Sequence, residues 1–133
     1  MAELINLKDL TGATQDLSIL RTLIPGSIKR VFYIYGAGAL KRGGHRHHET
    51  WNVLICLKGE CRVYSCDGEK ETYFTLDKPS NCLVLEPRDW HIMDCFSGDA
   101  ILLVLANQYY DRKDYIDEPY AINIPQVECM VEN

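Results

Sequence analysis

Apolar residues along this chain fall in short runs, broken about every 8–12 residues by glycine, proline, aspartate or serine, which is the spacing of an all-β domain. Residues 28–35, Ile28-Lys29-Arg30-Val31-Phe32-Tyr33-Ile34-Tyr35, are rich in β-branched and aromatic side chains and read as a strand. Val53-Leu54-Ile55-Cys56-Leu57 is apolar on both faces, so this strand is expected to be buried on both. Further strands are expected over 61–66, 71–76, 82–86, 91–96 and 100–106. Asp67-Gly68 is a two-residue hairpin signal between the first two of these. At the N-terminus, Leu4-Ile5-Asn6-Leu7 predicts a strand, Thr11-Gly12 a turn, and residues 17–24 a second short strand ending at Pro25-Gly26. Only residues 108–116 read as a helix, and a short one. Strands without alternating helices exclude a parallel α/β sheet, and a double-sheet jelly roll or small barrel is the natural closure. No repeat or linker divides the chain, so residues 1–133 are expected to form a single domain.

Composition narrows the partners. The chain has 133 residues, enough to bury about two thirds of its unfolded surface. Its net charge of −5 argues against a nucleic-acid surface, although it leaves room for a local basic pocket. No apolar run approaches the roughly 20 residues that span a bilayer. Met1-Ala2-Glu3-Leu4 lacks the basic and apolar regions of an export signal, so a cytoplasmic location is expected. In that setting the cysteines at 56, 61, 66, 82 and 95, all within or beside apolar runs and none spaced C-x-x-C, are expected to be buried free thiols.

The candidate chemistry is concentrated in Arg42-Gly43-Gly44-His45-Arg46-His47-His48-Glu49-Thr50-Trp51-Asn52, which holds three of the four histidines. On a strand, alternate side chains share a face, so His45 and His47 point together while Arg46 and His48 point away. Two imidazoles in one cavity make half a metal site or an acid/base pair, and an imidazole that titrates near 6.5 can be present in both protonation states at neutral pH. Arg42 and Arg30, basic groups in an acidic protein, are expected to bind phosphate, because the guanidinium fork matches phosphate oxygens.

The double-histidine strand resembles the first motif of the cupins, G-x5-H-x-H-x3,4-E-x6-G. Pro87-Arg88-Asp89-Trp90-His91 resembles their second motif, P-x-G-x2-H, one residue tighter and without its glycine. That resemblance implies a cupin, or double-stranded β-helix, jelly roll, here with a short C-terminal helix, and brings His91 towards the histidine pair. Counting back from Gly59 puts Asn52, or Trp51 at the shorter spacing, at the carboxylate position of the motif. Asparagine is a neutral and weaker oxygen ligand, so no catalytic metal is expected.

More of the chain is similar to the nucleotide-sugar 3,4-ketoisomerase (WxcM-like) family. Ser27-Ile28-Lys29-Arg30-Val31-Phe32-Tyr33-Ile34 resembles its S-I-K-R-V-Y-Y-I, and Arg42-Gly43-Gly44-His45-Arg46-His47 its R-G-x-H-A-H. Leu54-Ile55-Cys56-Leu57-Lys58-Gly59 and Asp89-Trp90-His91-Ile92-Met93 resemble its L-V-C-L-x-G and V-W-H-E-M. The final run, residues 103–111 followed by Asp114-Tyr115-Ile116, resembles L-V-L-A-S-x-Y-Y-D and D-Y-I. The resemblance implies a metal-independent cytoplasmic homodimer, needing no cofactor, that converts a nucleotide-linked 4-keto-6-deoxy hexose, typically dTDP-4-keto-6-deoxy-D-glucose, to its 3-keto isomer. It implies His45 and His47 as the catalytic bases. This chain departs from the family at Arg46 (a small residue there), His48 (a lysine) and Asn52 (a glutamine), and the last bears on substrate and stereochemistry rather than on reaction class.

The inventory suits that reaction. A neutral imidazole takes the proton from C3, acidified by the C4 ketone, a second group moves the hydroxyl proton from O3 to O4, and C4 is reprotonated. His47 is assigned as the C3 base and His45 as the shuttle, with the two roles exchangeable. Asn52, Tyr33 and Arg42 are candidate donors to the enediolate oxygens, with His91 and Arg30 completing the substrate-binding set. Alternatives are a nucleotide-sugar 3,5-epimerase, which leaves the ketone in place, a metal-dependent cupin oxygenase or isomerase, and a non-catalytic sugar-binding cupin.

Overall fold

The computed structural model describes residues 1–7, 17–121 and 129, so the turn expected at Thr11-Gly12 lies outside the described residues. Ten strands appear among the described residues: β1 (Glu3–Asn6), β2 (Arg30–Tyr35), β3 (Arg42–His47), β4 (Asn52–Lys58), β5 (Cys61–Cys66), β6 (Glu71–Leu76), β7 (Asn81–Leu85), β8 (Trp90–Asp94), β9 (Ile101–Ala106) and β10 (Tyr115–Ile116). They form two five-stranded sheets, in the orders β1-β7-β4-β9-β2 and β10-β3-β8-β5-β6. The pairs are antiparallel throughout, and this is the jelly roll that the turn spacing called for.

The core lies between the inner faces. Ile34, Leu54, Cys56, Leu83, Leu85, Leu102 and Val104 of the first sheet meet Cys61, Val63, Leu76 and Met93 of the second. Parity then turns Val53 and Ile55 of β4 outward, where Leu7, Leu20 and Ile24 cover them together with Val84 and Leu105. That second layer explains why β4 is apolar on both faces. Gly59, the last position of the cupin motif, has φ +70°, and a Cβ there would meet the Ser97 hydroxyl, Asp99 Oδ1 at 2.6 Å and Ala100 Cα at 2.9 Å. Only glycine fits that turn.

Four expectations are corrected. Residues 17–24 are not a strand: Leu17–Thr22 is a 3-10 helix, since β1 already occupies the edge beside β7 and Leu20 and Ile24 serve as lids over the outer face. The hairpin at Asp67-Gly68 has a four-residue loop, with Cys66 opposite Glu71 and Asp67 Oδ1 accepting from the backbone N–H groups of Glu69 and Lys70. The helix expected over 108–116 shrinks to one 3-10 turn, Arg112–Asp114, capped by Asp111, because Tyr115 and Ile116 pair with His47 and Arg46 at the edge of β3. Cys95 is not a free thiol but is bonded to Cys129, whereas Cys56, Cys61, Cys66 and Cys82 are buried and free as expected.

After β9 the chain runs back across the mouth of the second sheet as a strap. The His48 N–H donates to the Asp114 carbonyl at 2.9 Å, and the Trp90 indole to the Asp117 carbonyl at 3.1 Å. Tyr120 donates to the Arg88 carbonyl under the Arg46 guanidinium, 4.3 Å above its ring.

Candidate active site

A cavity of about 380 Å³ opens between the sheets, beneath the strap. Strand β3 presents His45 and His47 to it, β8 presents His91, β2 Arg30, Phe32 and Ile34, and β4 Asn52; Arg42, Tyr110 and Tyr115 complete the mouth. Six of the seven residues expected at the site, His45, His47, His91, Arg30, Arg42 and Asn52, therefore share one cavity.

Tyr33 does not join them. Strand parity places it opposite Phe32 and Ile34, so it lies on the outer face of the first sheet, 63% exposed and stacked on Tyr35 with ring centroids 5.8 Å apart. Its expected part in substrate binding is corrected accordingly. Arg46 points away from the cavity as parity requires, and His48 is exposed outside it.

A bulge between Gly43 and His45 aims the histidine pair. Gly43 has φ +88°, and a Cβ there would lie 2.9 Å from the His91 carbonyl oxygen, so glycine lets β3 approach β8 closely enough to face His45 across His91. His45 sits in the middle of the cluster, its ring centroid 5.0 Å from those of both His47 and His91. Tyr115 sets its ring against His45 at 4.7 Å and His47 at 4.6 Å, and its hydroxyl accepts from Arg30 Nη2 at 3.1 Å.

Hydrogen bonds fix two of the three imidazoles. His91 Nδ1 is 3.0 Å from the Asp89 carbonyl oxygen, which can only accept, so Nδ1 carries the hydrogen. His47 Nδ1 is 2.9 Å from Asp114 Oδ2. Asp114 also accepts from the Glu49 N–H at 2.8 Å and from the Thr50 hydroxyl. Burial pushes the Asp114 carboxyl up, but these hydrogen bonds outweigh it and hold the group below the usual carboxylate range. An ionised carboxylate only accepts, so His47 Nδ1 carries the hydrogen as well. His45 has no hydrogen-bond partner among the described residues.

Burial is also the first cause of the histidines' acidity. It lowers His91 to about 3 and His45 to about 4, each helped by the neighbouring imidazole. It lowers His47 too, against the opposing pull of Asp114. All three are neutral at pH 7, which corrects the expectation of a mixed pair: desolvation disfavours every imidazolium in this cavity. Neutral imidazoles are bases. Their ligating nitrogens lie within 4.8 Å of one another, so the same set offers three corners to a metal ion. Asn52, a neutral amide, lines the same cavity, and the nearby Asp114 carboxylate is behind the His47 ring, engaged with Nδ1.

Arg30 is the other chemically distinctive group. Its guanidinium lies 5.2 Å from the Phe32 ring and 5.6 Å from Tyr110, and its buried Nε–H lacks a partner among the described residues. Such a donor, costly to leave unsatisfied, suits an anionic ligand in the cavity. Asp114, Tyr115 and Tyr110 were not assigned from sequence. The Asp114-Tyr115-Ile116 run was visible as a motif, but its contact with β3 spans 67 residues and no local periodicity announces it.

Comparison with known proteins adds four findings. The family model FdtA, described as WxcM-like, C-terminal, matches residues 1–123. The TDP-4-oxo-6-deoxy-alpha-D-glucose-3,4-oxoisomerase of Aneurinibacillus thermoaerophilus is 48% identical over 94 residues, covering 70% of this chain and 68% of that protein. Among solved structures, WlaRA, a TDP-fucose-3,4-ketoisomerase from Campylobacter jejuni, is 38% identical with a TM-score of 0.68, covering 71% of this chain and 70% of that one. A mutant of the 3,4-ketoisomerase QdtA from Thermoanaerobacterium thermosaccharolyticum, in complex with TDP-4-keto-6-deoxyglucose, is 34% identical with a TM-score of 0.73, covering 88% and 87%.

Proposed function

This chain belongs to the FdtA, WxcM-like family, and from that membership we propose that it converts a TDP-linked 4-keto-6-deoxy hexose to its 3-keto isomer. It is an intramolecular oxidoreductase with a cupin-like fold: one carbon of the sugar is oxidised while its neighbour is reduced. The observation that carries the reading is the convergence of neutral His45 and His47 in one cavity with half-buried Arg30.

The geometry supports an assignment of roles. His47, whose Nε2 lone pair is left free, takes the C3 proton, and His45, with no fixed tautomer, moves a proton from O3 to O4 before C4 is reprotonated. Asn52 and the Arg30 N–H groups face the oxygens on which the enediolate charge develops. Arg42, exposed at the mouth, takes the diphosphate, and His91 bounds the sugar from the opposite strand. No step draws on a redox cofactor.

The protein is also expected to act as a homodimer. Val31, Tyr33 and Tyr35 are 57%, 63% and 69% exposed along the outer face of edge strand β2, an apolar strip suited to a second copy. Among the described residues no helix is long and apolar enough to cross a membrane, and a cytoplasmic setting fits a nucleotide-sugar substrate.

The decisive measurement is incubation with TDP-4-keto-6-deoxyglucose in D₂O, followed by NMR. The expected product has its ketone at C3 and deuterium at C4. A product that keeps the C4 ketone but is deuterated and inverted at C3 or C5 would instead identify a 3,5-epimerase, and an unchanged sugar a binding protein.

A further inference from the structure

The two catalytic histidines have different surroundings, and the difference comes from the strap. His47 is tied through Nδ1 to Asp114 at 2.9 Å, whereas among the described residues His45 makes ring contacts and no hydrogen bond. Asp114 is itself over-determined. It receives the Glu49 N–H on Oδ1 and the Thr50 hydroxyl with His47 on Oδ2, while its own carbonyl accepts from the His48 N–H. Two residues that follow His47 in the chain, Glu49 and Thr50, thus clamp the carboxylate behind the His47 ring, and a third, His48, holds the Asp114 backbone.

We propose that Asp114 is a positioning residue for the isomerisation: its carboxylate locks His47 in the Nδ1–H tautomer, so that Nε2 faces the cavity as a proton acceptor. An imidazole with Nε2–H would present a donor where the reaction needs a base. The absence of such a clamp on His45 leaves that ring free to exchange tautomers, as a shuttle that both accepts and donates must. The inference rests on the ketoisomerase reading, because it assigns a task within that reaction.

Asp114→Asn separates position from chemistry. The amide oxygen can keep the Glu49 N–H bond, which leaves the NH₂ facing His47 Nδ1. That NH₂ is a donor, so the ring must turn to the Nε2–H tautomer to accept from it. With ¹⁵N-histidine labelling, four resonance pairs suffice to follow the whole chain, assigned by His→Asn variants. The expected result is Nδ1–H at His47 in the native protein and Nε2–H in Asp114→Asn. It is accompanied by a fall in kcat of roughly a hundred- to ten-thousandfold, the range for loss of a general base, with the Kd for TDP within about threefold of native.

Native protein with His47 in the Nε2–H form overturns the proposal without any variant, and so covers the case in which Asp114→Asn does not fold. A variant with native tautomer, or with reversed tautomer and native kcat, overturns it too. If the native protein itself shows no turnover, the ketoisomerase reading fails and the tautomer measurement still stands as a separate result.

Discussion

Three neutral imidazoles and two arginines share one cavity, and single substitutions should separate their tasks. His47→Asn is expected to keep the fold and bind nucleotide sugar, yet lose turnover together with deuterium exchange at C3 in D₂O. His45→Asn should retain some C3 exchange while forming no 3-keto product; the opposite pattern would exchange the two roles. His48→Asn, exposed outside the cavity, should behave as native. Arg42→Ala should weaken TDP-sugar binding by about ten- to a hundredfold, the range for a charged hydrogen bond of about 1.5–3 kcal/mol, which titration calorimetry reads directly. Because motif spacing puts Asn52, or Trp51, where metal cupins carry a carboxylate, exhaustive chelation is expected to leave kcat unchanged. Activity lost to chelators and restored by one ion would make the histidines ligands. Burial lowers His45 to about 4 and His47 below its ordinary value, so both stay basic at pH 7 and activity should fall only on the acid side of about 6.5. The sequence made this pair legible through strand parity alone. It did not reveal Asp114 or Tyr115, whose contacts with β3 depend on how the strap returns.

At the scale of elements, the bulge on β3 and the edge of β2 are the points where function meets folding. A Cβ on Gly43 would strike the His91 carbonyl at 2.9 Å while holding φ at +88°. Gly43→Ala should therefore cost about 1–3 kcal/mol of stability and displace His91, seen as a lower urea midpoint together with reduced kcat. Strand β2 divides its labour by parity: Arg30, Phe32 and Ile34 face the cavity, and Val31, Tyr33 and Tyr35 face out. Tyr33→Glu is expected to leave the cavity intact but to yield monomers by sedimentation velocity, since it sets a charge in the apolar strip. A dimer that persists in this variant would place the interface elsewhere. The 3-10 helix at Leu17–Thr22 shows the limit of local patterning, because an apolar octet reads equally as strand or lid and only its packing over the outer face of the first sheet decides.

For the whole molecule, burying neutral histidines ties stability to pH. The unfolded chain protonates His91 near 6.5, but the folded one does so only near 3. Between those values the unfolded state holds more protons, so stability falls as pH falls, by up to roughly 1.4 kcal/mol per pH unit for one such group. Burial of Asp89 raises its carboxyl to about 6, which acts in the opposite sense below that pH, one group against three. Urea midpoints are expected to drop from pH 7 to pH 5, and the drop should shrink in His91→Asn; equal slopes in both proteins would locate the effect elsewhere.

Fold class, the shared face of His45 and His47, and the outward turn of Arg46 were determined by sequence alone, because turn residues and a period of two act over a few neighbouring positions. The tertiary structure decided what distance in the chain conceals. It carried Asp114 to His47 across 67 residues, joined Cys95 to Cys129, and turned residues 115–116 from a helix into an edge strand. It also made all three imidazoles neutral. Periodicity reports which face a residue takes, but desolvation depends on everything packed around that face, and only the closed pair of sheets supplies it.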